Sequence, residues 1–198
     1  MLHSFSCVTV NTRGLNNARK RRQVLRWLHI NKFQVIFLQW TYCSSETEKL
    51  WSAEWGGETF PCHGSKHSKG TVIMFNPSLD AEIIECTTSE KGRIIILEAW
   101  FDDTKFIFVN IYAPNDLAQQ LNFFYSLKSK LVKYANENIV VGDFNCAHTP
   151  SDKRGACPVE KKGAVVLAIC NLCRIRDLRM LGDTYTQMNH CLLGTINL

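Results

Sequence analysis

Short runs of β-branched and aromatic residues recur along this chain, interrupted by stretches with helical periodicity, and that alternation constrains the fold more than any other feature. Phe5–Val10, Val35–Gln39, Thr71–Phe75, Ala81–Glu85, Arg93–Phe101, Phe106–Ile111 and Asn138–Val141 read as strands. Asp102-Asp103-Thr104 between two of these runs predicts a β-hairpin, so part of the sheet is antiparallel. Asn16 or Asn17 caps a helix from Ala18 to about His29, with Val24, Leu25 and Leu28 on one face. Leu117, Leu121, Phe124, Leu127, Leu131 and Tyr134 repeat at helical spacing, and Val159 to about Leu172 reads as a further helix. Ser44–Phe60 is polar, with Trp51 and Trp55 as core anchors. Strands separated by helices, with a central hairpin, predict an α/β sandwich with mixed sheets.

The 198 residues, without internal repeat or Gly/Ser-rich linker, predict one domain over 1–198. Eleven Gly and five Pro exclude collagen-like and disordered classes. A net charge of +5 permits a nucleic-acid partner without demanding one. Nine cysteines cannot all pair internally, and Met1–Val10 lacks the charge and apolar run of a signal peptide. No segment approaches the ~20 apolar residues of a membrane helix, since Glu98 interrupts even Ile94–Phe101. These features predict a soluble, monomeric protein of the nucleus or cytoplasm, with free thiols, no disulfide partner and no membrane contact.

Two groups of residues invite chemistry. Arg19, Lys20, Arg21 and Arg22, with Arg26, crowd the start and outer side of the first helix. Positive charge there opposes the helix dipole, so the group is either a solvated face or a grip on anions. The second group lies at strand ends, where loops converge over a rigid core: Asn11, Gln39, Tyr112, Asp143 and Asn145. Asp143 beside Gly142 and Asn145 suits Mg²⁺, or the orientation of a water and a phosphate. Asp and Asn also favour turns for local hydrogen-bonding reasons.

Asn11-Thr12-Arg13-Gly14-Leu15, Phe37-Leu38-Gln39, Asn110-Ile111-Tyr112-Ala113-Pro114-Asn115 and Gly142-Asp143-Phe144-Asn145 follow one another between matching strands. In that order they resemble the endonuclease/exonuclease/phosphatase superfamily, and more narrowly the endonuclease domain of LINE-1-type (non-LTR) retrotransposon polyproteins. The resemblance implies a four-layer, DNase I-like α/β sandwich with two mixed sheets and Mg²⁺-assisted hydrolysis of a DNA phosphodiester. By position it implies that Asn11 holds the metal or its water shell and Tyr112 contacts the scissile phosphate. Asp143 would orient or deprotonate the attacking water, and Asn145 would hydrogen-bond the phosphate as charge grows on it.

Two departures from that pattern bear on catalysis. The family has a Glu after Leu-Gln as principal metal ligand, whereas this chain has Trp40, followed by Thr41 and Tyr42. An indole has one N–H donor and no oxygen, so it cannot ligate Mg²⁺, and such sites rely on only one or two carboxylates. The family also ends with an Asp-His pair after a final strand, and Thr195-Ile196-Asn197-Leu198 reads as the approach to it. The last strand and the pair are therefore expected to be missing, leaving a sheet edge bare. Loss of a general acid or base typically costs ~10²–10⁴ in rate.

Other residues read more simply. Cys170 and Cys173 fall at helical spacing among apolar neighbours and belong in a core, although with His190 and Cys191 they could be imagined as a zinc site. His63 and His67 lack a helix to align them, and His148 is a loop residue. Trp27, Trp51, Trp55 and Trp100 read as core residues, and Gln39 as either a support for the site or a strand terminus. Three functional readings follow: a retrotransposon-type endonuclease domain with impaired catalysis, an active Mg²⁺-dependent endonuclease, or a non-catalytic module gripping DNA phosphates through Arg19–Arg22, Arg26 and Lys32.

Overall fold

The computed structural model describes residues 4–89, 91–135 and 137–141, with further strands at 176–177, 187–188 and 191–197. In chain order the elements are β1 (Ser4–Asn11), α1 (Ala18–Ile30), β2 (Val35–Gln39), α2 (Glu48–Trp55), β3 (Thr59–Cys62), β4 (Thr71–Phe75), β5 (Glu82–Ser89), β6 (Ile94–Phe101), β7 (Thr104–Ile111), α3 (Leu117–Leu131), β8 (Asn138–Val141), β9 (Arg176–Asp177), β10 (Gln187–Met188) and β11 (Cys191–Asn197). A 3₁₀ turn, Val132–Tyr134, extends α3.

One sheet has the order β10-β11-β1-β2-β4-β3 and the other β5-β6-β7-β8-β9. Both are mixed: β1–β2 and β7–β8 are parallel, β2–β4 and β6–β7 antiparallel. Because strand side chains alternate between faces, each central strand feeds two cores. Phe5, Cys7, Val35, Phe37, Ile73 and Phe75 face Ile95, Leu97, Phe101, Phe106 and Phe108 between the sheets. The alternate residues Val8, Ile36, Leu38, Val72 and Met74 pack under α1 and α2, while Ile94, Ile96, Ile107 and Val109 pack under α3. The result is the four-layer α/β sandwich the sequence predicts. The apolar runs of β2 and β4 are continuous because both faces are buried.

Several expectations need correcting. The polar stretch at 44–60 contains a helix, α2, and its Trp51 and Trp55 are core residues as expected. Trp27 and Trp100 are not: they are 36% and 38% exposed. β5 continues past Glu85 to Ser89 because it is an edge strand whose polar Thr87, Thr88 and Ser89 face little apolar surface. β1 is not itself an edge, since β11 pairs with it from Ser4↔Asn197 to Val10↔Cys191. The helix predicted over 159–172 lies outside the described residues, as do Cys170, Cys173 and His148.

Glu98, on the α3 face of β6, is buried yet ionised. Burial raises its pKa, but Tyr134 Oη, donating at 2.5 Å, and Lys105 Nζ at 2.9 Å outweigh this and hold it below the usual range. Cys7, Cys43, Cys62 and Cys86 are free thiols. Among the described residues no helix is long and apolar enough to cross a membrane.

Phe108 is the hub of the inter-sheet layer, with ring centroids 5.5–6.2 Å from Phe5, Phe37, Phe75, Phe101 and Phe106. Phe108→Ala should lower unfolding free energy by about 3–5 kcal/mol. Trp100→Ala should cost under ~1 kcal/mol. Urea titration distinguishes the two.

Candidate functional site

At one end of the sandwich the inter-sheet layer changes from aromatic to polar. Continuing the inward-facing positions along each strand gives Thr9 and Asn11 on β1, Gln39 on β2, Thr71 on β4 and Asn110 on β7. Register sets Asn11 beside Gln39 and Gln39 beside Thr71. Gln39 Nε2 donates to Thr9 Oγ1 at 2.7 Å and, across the gap between sheets, to Asn110 Oδ1 at 2.8 Å. Asn110 Nδ2 in turn donates to the carbonyls of Leu38 (3.0 Å) and Val72 (2.8 Å). Gln39 is thus a buried support beneath the site rather than a loose terminus. Asn110, unremarked within its motif, is the residue that joins the two sheets here.

The chain beyond Gln39 is clamped on both sides by main-chain bonds. Gly14 N and Leu15 N donate to the Trp40 and Thr41 carbonyls (2.6 and 2.9 Å), while Thr41 N and Tyr42 N donate to Gly70 and Lys69 (both 3.0 Å). Trp40 and Tyr42 are held at φ of +51° and +62°, a left-handed conformation unusual for bulky side chains and one that costs of order 1–3 kcal/mol each. Gly14 and Gly70 let the neighbouring loops come this close. A Cβ on Gly14 would strike the Tyr42 ring, and one on Gly70 would sit 2.7 Å from Thr41 Oγ1.

This clamp turns Trp40 toward β7. Its ring stacks on Tyr112 with centroids 6.0 Å apart and planes at 23°, and Tyr42 meets it edge-on at 6.4 Å. Arg93 lies over Tyr112, 5.4 Å from the ring centroid, and its Nη1 donates to the Tyr112 carbonyl at 2.8 Å. Burial pushes the Tyr112 phenol up from its ordinary pKa against the opposing charge of Arg93, so the group stays protonated. Asn11, in register with the residue before Trp40, has an Oδ1 that is buried without a hydrogen-bond partner. The structure therefore brings Asn11, Trp40 and Tyr112 to one place. Asp143 and Asn145 lie outside the described residues.

Among the described residues the donor set does not fit Mg²⁺. The orphaned oxygen of Asn11 is an open acceptor, while Trp40 and Tyr112 offer an indole and a neutral phenol where a hard cation requires carboxylate. Among the described residues no three His, Cys, Asp or Glu are grouped to hold a metal ion. That covers His63, whose Nε2 pairs with Glu48 at 3.1 Å, and His67.

The cationic helix start also differs from a uniform stripe. Asn17 is the N-cap, accepting from Lys20 N at 3.0 Å. Arg21 is buried, and its guanidinium grips Glu54 of α2 with two bonds (2.6 and 3.0 Å) and the Leu15 carbonyl at 3.1 Å. Arg22 joins Glu54 at 3.2 Å. Hydrogen bonding from Arg21 holds the Glu54 carboxyl below its usual range. Arg21 is therefore withdrawn from the phosphate-gripping set, because an internal carboxylate neutralises it. Lys20 Nζ ties back to the Thr12 and Arg13 carbonyls (2.7 and 3.2 Å). Arg19 and Arg26 are exposed on the outer face of α1.

Comparison with known proteins gives consistent matches. The family described as Endonuclease/Exonuclease/phosphatase family matches residues 8–189. The "Transposon TX1 uncharacterized 149 kDa protein" of Xenopus laevis is 32% identical over 144 residues, covering 72% of this chain but only 11% of that protein. Among solved structures, the AP endonuclease LMAP from Leishmania major superposes with TM-score 0.72 at 15% identity, covering 97% of this chain and 79% of that one. An AP endonuclease from Archaeoglobus fulgidus superposes with TM-score 0.66 at 21% identity, covering 85% and 70%.

The cross-sheet amide pair is testable apart from these likenesses. Asn110→Ala removes the side-chain donor to two buried carbonyls and one of the two acceptors of the Gln39 amide, and should destabilise by roughly 3 kcal/mol. Thermal unfolding of the variant measures this.

Proposed function

The chain belongs to the endonuclease/exonuclease/phosphatase family, and from that premise we propose that it is a retrotransposon-type endonuclease domain whose metal-dependent hydrolysis of DNA is lost or strongly impaired. The retrotransposon assignment draws on the 32% identity to the transposon protein, of which this chain spans about a tenth. The loss of activity rests on one observation: Trp40 holds the place where the family's metal-ligating Glu is expected, stacked on Tyr112 beside the unpartnered Asn11 oxygen. Divalent-metal chemistry is the family's way of stabilising the charged phosphorus centre. At this site an indole replaces the anion that would hold such an ion.

The remaining residues keep parts of the older task in this reading. Tyr112, protonated and backed by Arg93, would donate to a phosphate oxygen. Asp143 and Asn145 would orient a water and hydrogen-bond the phosphate, as the resemblance implies. Without a held cation, positioning alone leaves most of the barrier in place.

The proposal predicts that the purified chain does not nick supercoiled plasmid above a buffer control with Mg²⁺ or Mn²⁺, and that neither ion raises its melting temperature. Trp40→Glu should restore a metal-dependent rise in melting temperature, since an ion bound only by the folded state stabilises it by mass action. Metal-dependent nicking by the unaltered chain that disappears in Asp143→Ala would overturn the proposal.

A further inference from the structure

A hollow of about 680 Å³ opens beside the Trp40–Tyr112 stack, and the described residues that line it include no acidic side chain. Lys69, Lys91 and Arg93 form one wall, and Gln119, Asn122 and Ser126 of α3 form the other. None of the ion pairs among the described residues involves Lys69 or Lys91, whereas Arg21 is paired with Glu54. Polar amides and a hydroxyl opposite three cations match the chemistry of phosphate diesters, which take charge from Lys and Arg and hydrogen bonds from neutral donors.

Two contacts make the hollow continuous with the aromatic cluster. Arg93 lines it and also lies over Tyr112, while Lys69 lines it and accepts the Tyr42 backbone N–H. Trp40 and Tyr42 are half-buried, so part of each ring meets solvent next to the cationic wall. Exchange of a carboxylate for an indole at position 40 acts twice here. It removes a negative charge that would repel a polynucleotide, and it supplies a large π-face.

We propose that Trp40 and Tyr42, backed by the buried Tyr112 ring, stack on an unpaired base, and that the Lys69–Lys91–Arg93 hollow takes phosphates of the same strand, making this face a sequence-tolerant site for single-stranded nucleic acid. The inference deepens the reading of position 40 as a site without metal chemistry. Every base has a π-face, so stacking tolerates any sequence. A duplex base reaches such a ring only after unstacking, at a cost of a few kcal/mol, so the site selects single strands.

Fluorescence anisotropy with labelled 12-mers of oligo-dT and oligo-U, a 12-base-pair duplex and an abasic 12-mer tests this, using the full chain. Both single strands should bind at least ~10-fold more tightly than the duplex, and the tighter of the two identifies the preferred polymer. Trp40→Ala should weaken single-strand binding by roughly 5- to 150-fold, the range for one lost base–aromatic stack. It should leave both the salt slope and abasic binding unchanged, which distinguishes stacking from general damage. Trp40→Phe should keep most of the affinity. Lys69→Gln with Lys91→Gln should reduce the log–log salt slope by about 1.4. Duplex binding equal to single-strand binding, or a Trp40→Ala variant with wild-type affinity for oligo-dT, would overturn the proposal. Plasmid nicking by the unaltered chain would overturn the reading of lost catalysis and leave these binding results standing.

Discussion

The hydrogen bond from Gln39 to Asn110 is the constraint on which the site depends. Two sheets packed through an aromatic layer are free to slide, because burial is non-directional. At the end where the layer turns polar, one amide from each sheet fixes their relative position. Asn110 also engages the carbonyls of two strands in the opposing sheet, so the joint spans β2, β4 and β7. Net, each such bond contributes only about 1 kcal/mol, yet leaving any of the buried groups unpaired costs more. Trp40 follows Gln39 directly and Tyr112 stands two residues past Asn110. The distance between the two rings is thus set by the amide pair beneath them.

Much of this architecture is legible in the sequence because the central strands are buried on both faces. Val35–Gln39 and Thr71–Phe75 appear in the structure with the predicted bounds, as continuous apolar runs with no helical period. α2 is hidden because its eight residues include Glu48, Lys49, Ser52 and Glu54, and its two tryptophans suggest anchoring without declaring a helix. The far half of β5 is hidden because an edge strand facing solvent needs no apolar pattern. Arg21 is the instructive failure. Its charge reads as surface because the carboxylate that buries it lies 33 residues away, and nothing local announces that pairing.

The site was legible as a set of strand-end residues and illegible as an arrangement. Asn11, Gln39 and Tyr112 stand out by type and position. That Trp40 and Tyr112 would lie face to face, or that Lys69 and Lys91 from separate loops would share a wall with Arg93, follows only from the crossing of the two sheets. The electrostatic outcome is a division of labour between two cationic groups. At the start of α1, Arg21 is spent internally, tying α1 to α2 through Glu54. Beside the aromatic stack, Lys69 and Lys91 take part in no ion pair among the described residues.

The clamp on residues 40–43 is made from peptide groups, two glycines and the hydroxyls of Thr12 and Thr41, and the side chain at position 40 takes no part in it. Backbone shape there is inherited separately from side-chain chemistry. The residue at that tip can therefore be exchanged while the scaffold goes on folding, so the chemistry the tip offers and the fold that carries it vary independently.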